Sequence, residues 1–425
     1  MVGGWLACYQ LVALADLQRT VWYPAMAALV VLVMSAVIAG GGLRMPKPGK
    51  PTLAITLFVV SMLLSVAWGA VVTLASASME VGALCFYFIV LCLLVALTNR
   101  SGLAWFKAFL VTVPLVGFAG TVVVYAVFGG FEAAQAWSGS AAFLGDNPFD
   151  VSDGITIGTC SAVCIPFLFS ESVASRSFVG LRRRSAMFLL GVACLNCTLS
   201  ASRGAVLSVA VAALAFLVLV GLRGKIPKPV ANAVALGVMG LILVGFALYQ
   251  IPAVTREADE VAGEIVSSAL LGSGQVDLSR VLLFEATWRA IKQYPLTGLG
   301  FGGMRDYYES LHGYPKMSHS IVTTAWAEGG VLGAISLLVA IFWLFRTTAL
   351  ALRGNRADSA RYLFFCALCS SLIATLLQAG FTPLRSKPVF WVLLALLCTR
   401  MVRTRIVFRA QNTAGTHHPL TPSGQ

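Results

Sequence analysis

Residues 182–225 read RRRSAMFLLGVACLNCTLSASRGAVLSVAVAALAFLVLVGLRGK, and the reading of this stretch decides the fold. Two apolar runs, 186–199 and 205–222, stand back to back around a short turn, and basic residues close both outer edges. A helix at a water interface shows one apolar stripe; these runs are apolar all round, as helices in lipid are. Basic residues at both outer edges place those edges on one side of a membrane and the turn on the other.

The rest of the chain repeats the pattern. Of 425 residues, 58% are hydrophobic and 11% charged, with mean hydropathy +0.86. Soluble domains carry about 25% charged residues, so this chain has no polar skin to fold with in water. Disordered and fibrous classes are excluded too, since they need low hydrophobicity or strict repeats. In lipid every backbone group must pair internally, and runs this long and continuous mean helices. The expected fold is an all-α polytopic membrane protein of about twelve transmembrane helices.

The apolar runs are 4–17, 22–42, 51–77, 80–98, 108–128, 155–169, 186–199, 205–222, 230–251, 321–345, 362–381 and 389–402. The first is short and interrupted by Gln10. It lacks the basic flank of a secretory signal and reads as a retained helix; without it the count is eleven and the N-terminus lies outside. Six loops hold Arg44, Lys47, Lys50; Arg100, Lys107; Arg176, Arg182, Arg183, Arg184; Arg223, Lys225, Lys228; Arg346, Arg353, Arg356, Arg361; and Arg400, Arg403, Arg405, Arg409. Two spans separate each loop from the next, so all six share the cytoplasmic side, as do both termini of a twelve-span chain. Twenty of the thirty basic residues thus orient the chain, and the net charge of +13 is no sign of a nucleic-acid partner.

Residues 1–251 then hold helices one to nine, 252–318 form a loop domain on the outer face, 319–409 hold the last three helices, and 410–425 form a disordered cytoplasmic tail. The loop is the one long hydrophilic stretch, with six basic and eight acidic residues. Loops of this length are functional or disordered, and helical patterning here favours function.

Several tempting signals have plainer readings. The ten cysteines all lie in apolar runs. Cys194–Cys197 and Cys366–Cys369 spell C-x-x-C, but no histidine or acid stands near them in sequence, so they read as small hydrophobes at helix contacts. Gly298-Leu-Gly300-Phe-Gly302-Gly303 satisfies G-x-G-x-x-G, yet a helical pattern and Tyr294-Pro295 precede it instead of a strand. It reads as a flexible turn that can present amides to an anion. Asp146, Asn147, Asp150 and Asp153 read as turns and caps rather than a metal cluster.

Three outward features carry the chemistry. Ser200-Ala-Ser202-Arg203-Gly204 puts a guanidinium at a helix start, where the dipole favours an anion and where the positive-inside rule does not explain it. Serines, a helix N-terminus and arginine together suit phosphate. In the loop, Asp277 can cap a helix whose apolar positions Val281, Phe284, Trp288 and Ile291 recur at helical spacing, so that it lies on the membrane surface or the bundle. Arg280 then sits in its first turn. Third, His319 stands where the loop enters a span, on the same side as both arginines, and histidine can accept a proton near neutral pH. Each feature alone has a structural reading, as a snorkelling arginine, an Arg280–Glu285 pair or an interfacial histidine. Together they form the set that transfer from a lipid diphosphate needs.

These residues resemble the O-antigen ligase superfamily, which also holds O-antigen polymerases and O-linking oligosaccharyltransferases. The resemblance rests on Ser202-Arg203-Gly204, on Arg280…Trp288…Pro295-Leu-Thr-Gly-Leu-Gly300, and on His319 followed by Glu328-Gly-Gly-Val-Leu-Gly333. The span count, the orientation and the long loop before the histidine-bearing span add to it. Two positions depart: His319-Ser320 where the family often has His-Asn, and Asn147-Pro148-Phe149 where Asn-Pro-Asn is common. The resemblance implies a membrane glycosyltransferase fold of GT-C-like type in a bacterial inner membrane, with a periplasmic active site. It implies transfer of a glycan from undecaprenyl diphosphate to a sugar hydroxyl of lipid A–core, with inversion and without metal or other cofactor. Arg203 and Arg280 would hold the diphosphate and His319 would activate the acceptor, with Ser202, Arg289 and Glu328 in support.

Two further classes compete. A lipid-linked glycan transporter fits twelve spans, but transporters bury ionisable residues at the midplane and show repeated halves. Here the spans are nearly free of charge, with Asn196, Glu328 and Gln378 the main polar intruders, and no repeat is visible. A structural membrane scaffold is the other.

Overall fold

The computed structural model describes residues 49–128, 153–199, 203–222, 278–313, 320–355, 358–378 and 388–399. Within them every regular element is a helix. In chain order these are α1 Lys50–Trp68, α2 Leu74–Ser101, α3 Ala104–Phe128, α4 Asp153–Val173, α5 Arg183–Leu199 and α6 Arg203–Gly221. After a gap follow α7 Leu278–Gln293, α8 Gly303–His312, α9 Ile321–Gly354, α10 Ser359–Gln378 and α11 Pro388–Cys398. The expected spans at 4–17, 22–42 and 230–251, the loop as far as Asp277, and the tail lie outside the described residues.

Among the described residues five helices are long and apolar enough to cross a membrane: Lys50–Trp68, Ser76–Asn99, Ala104–Val122, Ile321–Gly354 and Ser359–Leu377. Gly158–Val173, Ala205–Gly221 and Val389–Cys398 are shorter apolar helices. The chain is thus an all-helical polytopic membrane protein over its described length. Lipid tails are as apolar as leucine, so such helices associate by close packing and polar bonds instead of by water exclusion. The α1–α9 contact shows both devices. Ser61 and Ser336 share a hydrogen bond of 2.7 Å across it. A Cβ on Gly329 or Gly333 would lie 2.8 or 3.2 Å from Met62 Sδ. Elsewhere α11 is buried along its length, and Trp391 stacks on Tyr87 with ring centroids 6.0 Å apart. Phe106 meets Phe109, Phe167 and Phe364 at 4.9–6.1 Å, tying α3, α4 and α10 together.

The cysteines of both C-x-x-C pairs pack at helix contacts. Cys197, Cys366 and Cys369 are buried and Cys194 is partly so. Among the described residues no group of three or more His, Cys, Asp or Glu is placed to hold a metal ion.

Four of the six basic loops meet at one end of the bundle. Lys50 Nζ and Arg346 each lie 4.8 Å from the Trp343 ring. Arg361 lies 5.8 Å from the Phe178 ring, and a Cβ on Gly180 would be 4.0 Å from Lys107 Nζ. Tyr362 Oη donates to Leu219 O at 2.5 Å, which brings the end of α6 to the same level. The alternation of charge read from the sequence is therefore matched by the geometry. At that end the buried Glu171 folds the loop after α4, accepting from Phe178 N and Val179 N at 3.2 Å and from the Ser177 hydroxyl.

Two runs divide differently from the expected spans. The run 51–77 is a helix only to Trp68; 69–73 is not helical, and α2 begins at Leu74 with Thr73 as its N-cap, accepting from Ser76 N at 3.3 Å. The run 321–345 extends to Gly354 and breaks at Gly330, whose φ is +62° and ψ −159°. At 1.5 Å per residue the part after the break is about 36 Å long, enough to cross the roughly 30 Å hydrocarbon core by itself. The part before it, residues 321–329, lies beyond that length. Both departures have one cause, described next.

Candidate functional site

The glycine turn after α7 is the joint at the end of the bundle away from Lys50 and Arg346. Breaking α9 at Gly330 leaves the carbonyls before the break without their helical donors, and in a membrane protein such groups must be satisfied from elsewhere. The turn supplies the donors. Leu299 N–H bonds Ala327 O at 2.8 Å and Gly300 N–H bonds Glu328 O at 3.0 Å. Trp326 Nε1 donates to Pro295 O at 3.3 Å. On the other side Leu299 O accepts from Val71 N and Val72 N at 3.2 and 3.1 Å. That bond pair holds 69–73 out of helix and ends α1 at Trp68.

The contacts leave no room for side chains. A Cβ on Gly298 would meet Glu328 O at 2.4 Å, and one on Gly330 would meet Leu296 O at 2.1 Å. Gly298 and Gly330 also hold φ of +72° and +62°, which residues with a Cβ rarely adopt. Three glycine-rich pieces, 69, 298–303 and 329–330, thus form one interlocked knot. The reading of the turn as a flexible presenter of amides is corrected: its two central amides are spent on the broken helix, and the turn is tightly held.

Helix α8 extends the joint. Asp306 Oδ2 accepts from Thr73 N at 2.7 Å and Oδ1 from Ser76 Oγ at 2.5 Å, so a carboxylate sits at the positive end of α2. Burial pushes its carboxyl up, but the bonds from Ser76 and Thr73 and the nearby Arg305 outweigh this and hold it below the usual value. A depressed carboxyl stabilises the fold above its unfolded-state pKa and loses that contribution as pH falls through the folded-state value. Asp306→Asn should cost about 1 kcal/mol at neutral pH, allowing for solvent screening at this half-exposed site. In thermal melts over an acid series, the gap between wild type and variant should close as pH falls. Nothing in the sequence alone marked Asp306, because its partners lie some 230 residues away in the chain.

Helix α7 forms where the loop pattern places it, over Leu278–Gln293; Asp277, the expected cap, lies outside the described residues. Its buried face differs from the expected one. Leu283, Ala286, Thr287, Ala290 and Ile291 are buried, whereas Phe284 and Trp288 are exposed at 65% and 46%. Small residues let the backbone approach α9 and α8 closely, and the large rings are left on the outside. Lys292 Nζ stands 5.7 Å from the Trp288 ring.

The candidate residues fall as follows. Arg203 is the first described residue of α6 and Arg280 the third described residue of α7; the residues just before each, and both arginine side chains, lie outside the described residues. Ser202 and His319 also lie outside them, although Ser320, directly after the histidine, caps α9 by accepting from Thr323 N at 3.5 Å. Arg289 pairs with Glu285 at 3.2 Å with both side chains at least half exposed, a bond of little energetic weight. Glu328 is 1% exposed and lies beside the break in α9.

No curated protein matches the chain at a significant level. Residues 186–338 match a family described as O-antigen ligase. The matched segment runs from α5 into α9 and takes in Ser202, Arg203, Arg280, Arg289, His319, Glu328 and the whole glycine knot except Gly69. Over these residues, about a third of the chain, the protein is similar to the O-antigen ligase family.

Proposed function

We propose that the protein is an O-antigen ligase, which transfers a polysaccharide from undecaprenyl diphosphate to a sugar hydroxyl of lipid A–core in lipopolysaccharide assembly. The observation that carries the reading is the joint between α7 and α9. The helix bearing Arg280 and the helix that begins two residues after His319 are bound by three hydrogen bonds through the glycine turn and Trp326. The anion-binding element and the base-bearing element therefore belong to one rigid unit, as a group transfer requires.

In the proposed reaction Arg203 and Arg280 bind the diphosphate. Two guanidiniums offset the charge that builds on the leaving group, and their planar forks suit phosphate oxygens. His319 takes the proton of the acceptor hydroxyl as its oxygen attacks the anomeric carbon from the face opposite the diphosphate. The new C–O bond forms, the bond from the anomeric carbon to the diphosphate oxygen breaks, and the sugar's configuration inverts. Undecaprenyl diphosphate leaves with the electron pair, and the proton remains on the imidazole. Neither a metal nor another cofactor has a part in this scheme.

The site faces the periplasm in the proposed topology, with twelve spans of GT-C-like type, both termini cytoplasmic, and the bacterial inner membrane as location. Both substrates are lipids, so the site opens sideways to the bilayer. The described buried carboxylates sit near helix ends, Glu80 in the second turn of α2, Glu171 in the last turn of α4 and Glu328 beside the break in α9. This supports an enzyme over a transporter, which needs ionisable groups at the midplane.

A polymerase would use the same donor with a second carrier-linked glycan as acceptor. Cells lacking the protein separate the two readings. Loss of a ligase leaves long carrier-linked polymer unattached to lipid A–core; single carrier-linked repeat units in its place would overturn the ligase reading in favour of a polymerase. Alanine at Arg203 or Arg280 should lower transfer about 10²–10³-fold, by analogy with removal of one charge-stabilising donor. Arg203→Lys should recover only part, since an ammonium lacks the fork. Steady-state transfer rates on protein of equal membrane yield measure both.

A further inference from the structure

At the basic end of the bundle two cations converge on one indole. Lys50 Nζ at the start of α1 and the Arg346 guanidinium on α9 each lie 4.8 Å from the Trp343 ring, so they are at most twice that distance apart. Both residues are exposed, and among the described residues neither is paired with a carboxylate. Two like charges this close repel at the edge of a membrane, where the dielectric is low, and an anion between them turns that repulsion into attraction.

The same two helices carry apolar stripes that lead away from the cations. Leu53, Leu57 and Val60 follow Lys50 along α1, and Phe342, Leu338 and Ile335 lead back from Arg346 along α9; all six are between 42% and 63% exposed. The helices run antiparallel and are bonded by Ser61 and Ser336 at 2.7 Å. At 3.6 residues per turn both stripes lie about a quarter turn from that contact, on the same side of the pair. They therefore form two adjacent tracks. At 1.5 Å per residue the α1 track runs from about 5 to 15 Å inward of Lys50, and the α9 track from about 6 to 17 Å inward of Arg346. That is the depth of one leaflet in a hydrocarbon core of roughly 30 Å.

We propose that this face binds an anionic phospholipid of the leaflet at the basic end, the cytoplasmic one in the proposed topology. Its phosphate bridges the Lys50 ammonium and the Arg346 guanidinium, and its two acyl chains run along the α1 and α9 tracks. Trp343 stands at the level of the glycerol backbone, where indoles settle in a bilayer, and basic groups between helices suit anionic headgroups. A zwitterionic lipid offers the same chains, but its own cation opposes the pair. The site does not depend on the transfer reaction, and none of its residues is assigned to that reaction.

The test uses full-length protein in nanodiscs of phosphatidylcholine, doped in turn with phosphatidylglycerol or phosphatidylethanolamine carrying the same mid-chain diazirine. After irradiation, labelled peptides are mapped by mass spectrometry. The phosphatidylglycerol probe should label peptides carrying Leu57 and Leu338 about fivefold or more above the phosphatidylethanolamine probe. Lys50→Gln and Arg346→Gln should each lower that labelling about fivefold, the size of one basic residue's attraction to an anionic surface. Arg361→Gln removes an equal charge at the same end, where Arg361 is held by Asp358 at 3.3 Å, and should leave the labelling unchanged. Melting curves report whether each variant is folded, and the comparison of the two lipids on wild-type protein needs no variant. Four results would each overturn the assignment: equal labelling by the two probes in the wild type, unchanged labelling in folded Lys50→Gln and Arg346→Gln, an equal fall in Arg361→Gln, or no labelling of those peptides, as when a second copy of the chain covers the face.

Discussion

His319→Ala should lower glycan transfer about 10²–10⁴-fold, the usual contribution of one general base, while the protein inserts and accumulates as before. The residue stands at the entry of α9, where Ser320 caps the helix through its own side chain. The imidazole is therefore not needed to start the helix, and its loss should leave the fold intact. Donor binding should be nearly unchanged, because the arginines and not the histidine are assigned to the diphosphate. The loss should appear in kcat, with KM for the carrier-linked donor held. A scaffold or a transporter gives the opposite result, full retention of function in a normally inserted His319→Ala protein.

Gly330→Ala should have the largest effect on the fold, and Gly298→Ala the next. Each position holds a positive φ, and each added Cβ would press on backbone: Leu296 O at 2.1 Å for residue 330, Glu328 O at 2.4 Å for residue 298. Backbone cannot swing aside as the end of a flexible side chain does. The turn would have to withdraw from the broken helix, and the carbonyls of Ala327 and Glu328 would lose the amides of Leu299 and Gly300. Steric strain combined with two buried unsatisfied acceptors places the cost at more than about 4 kcal/mol, among the exceptional single substitutions. Gly82→Ala is the internal control, since a Cβ there meets nothing within 4 Å. Yield of monodisperse protein in detergent should collapse for Gly330→Ala and stay at the wild-type level for Gly82→Ala.

The two sets of residues also show why some of the fold was legible in the sequence and some was not. Spans and sidedness are local matters of composition: the basic loops alternate along the chain, and Lys50, Arg346, Lys107 and Arg361 do gather at one end. The helix α7 itself was legible for the same reason, since helical spacing is written within a few residues. Its buried face was not. Hydrophobicity singles out Phe284 and Trp288, but beside a membrane large rings can face outward, and close packing selects Ala286 and Ala290. The break in α9 was hidden for a different reason. Glu328-Gly329-Gly330 inside an apolar run reads as small residues in a span. Only the turn some thirty positions earlier, folded against it, makes a break there affordable. The candidate site was proposed from residue types, Arg203, Arg280 and His319, because charges expected on the outer side stand out against the positive-inside pattern. Asp306 was invisible, because it is defined by a distant helix end.

Transfer should proceed with the purified protein in detergent, where no sealed membrane exists to support transport. Carrier-linked polysaccharide and defined lipid A–core are mixed with wild-type protein, and the products are followed by gel shift and mass spectrometry. Glycosylated lipid A–core and free undecaprenyl diphosphate should appear in equal amounts, with inverted configuration at the new linkage and loss of both products in His319→Ala. Absence of product with folded wild-type protein and both substrates, or equal turnover by His319→Ala, would contradict the proposed reaction.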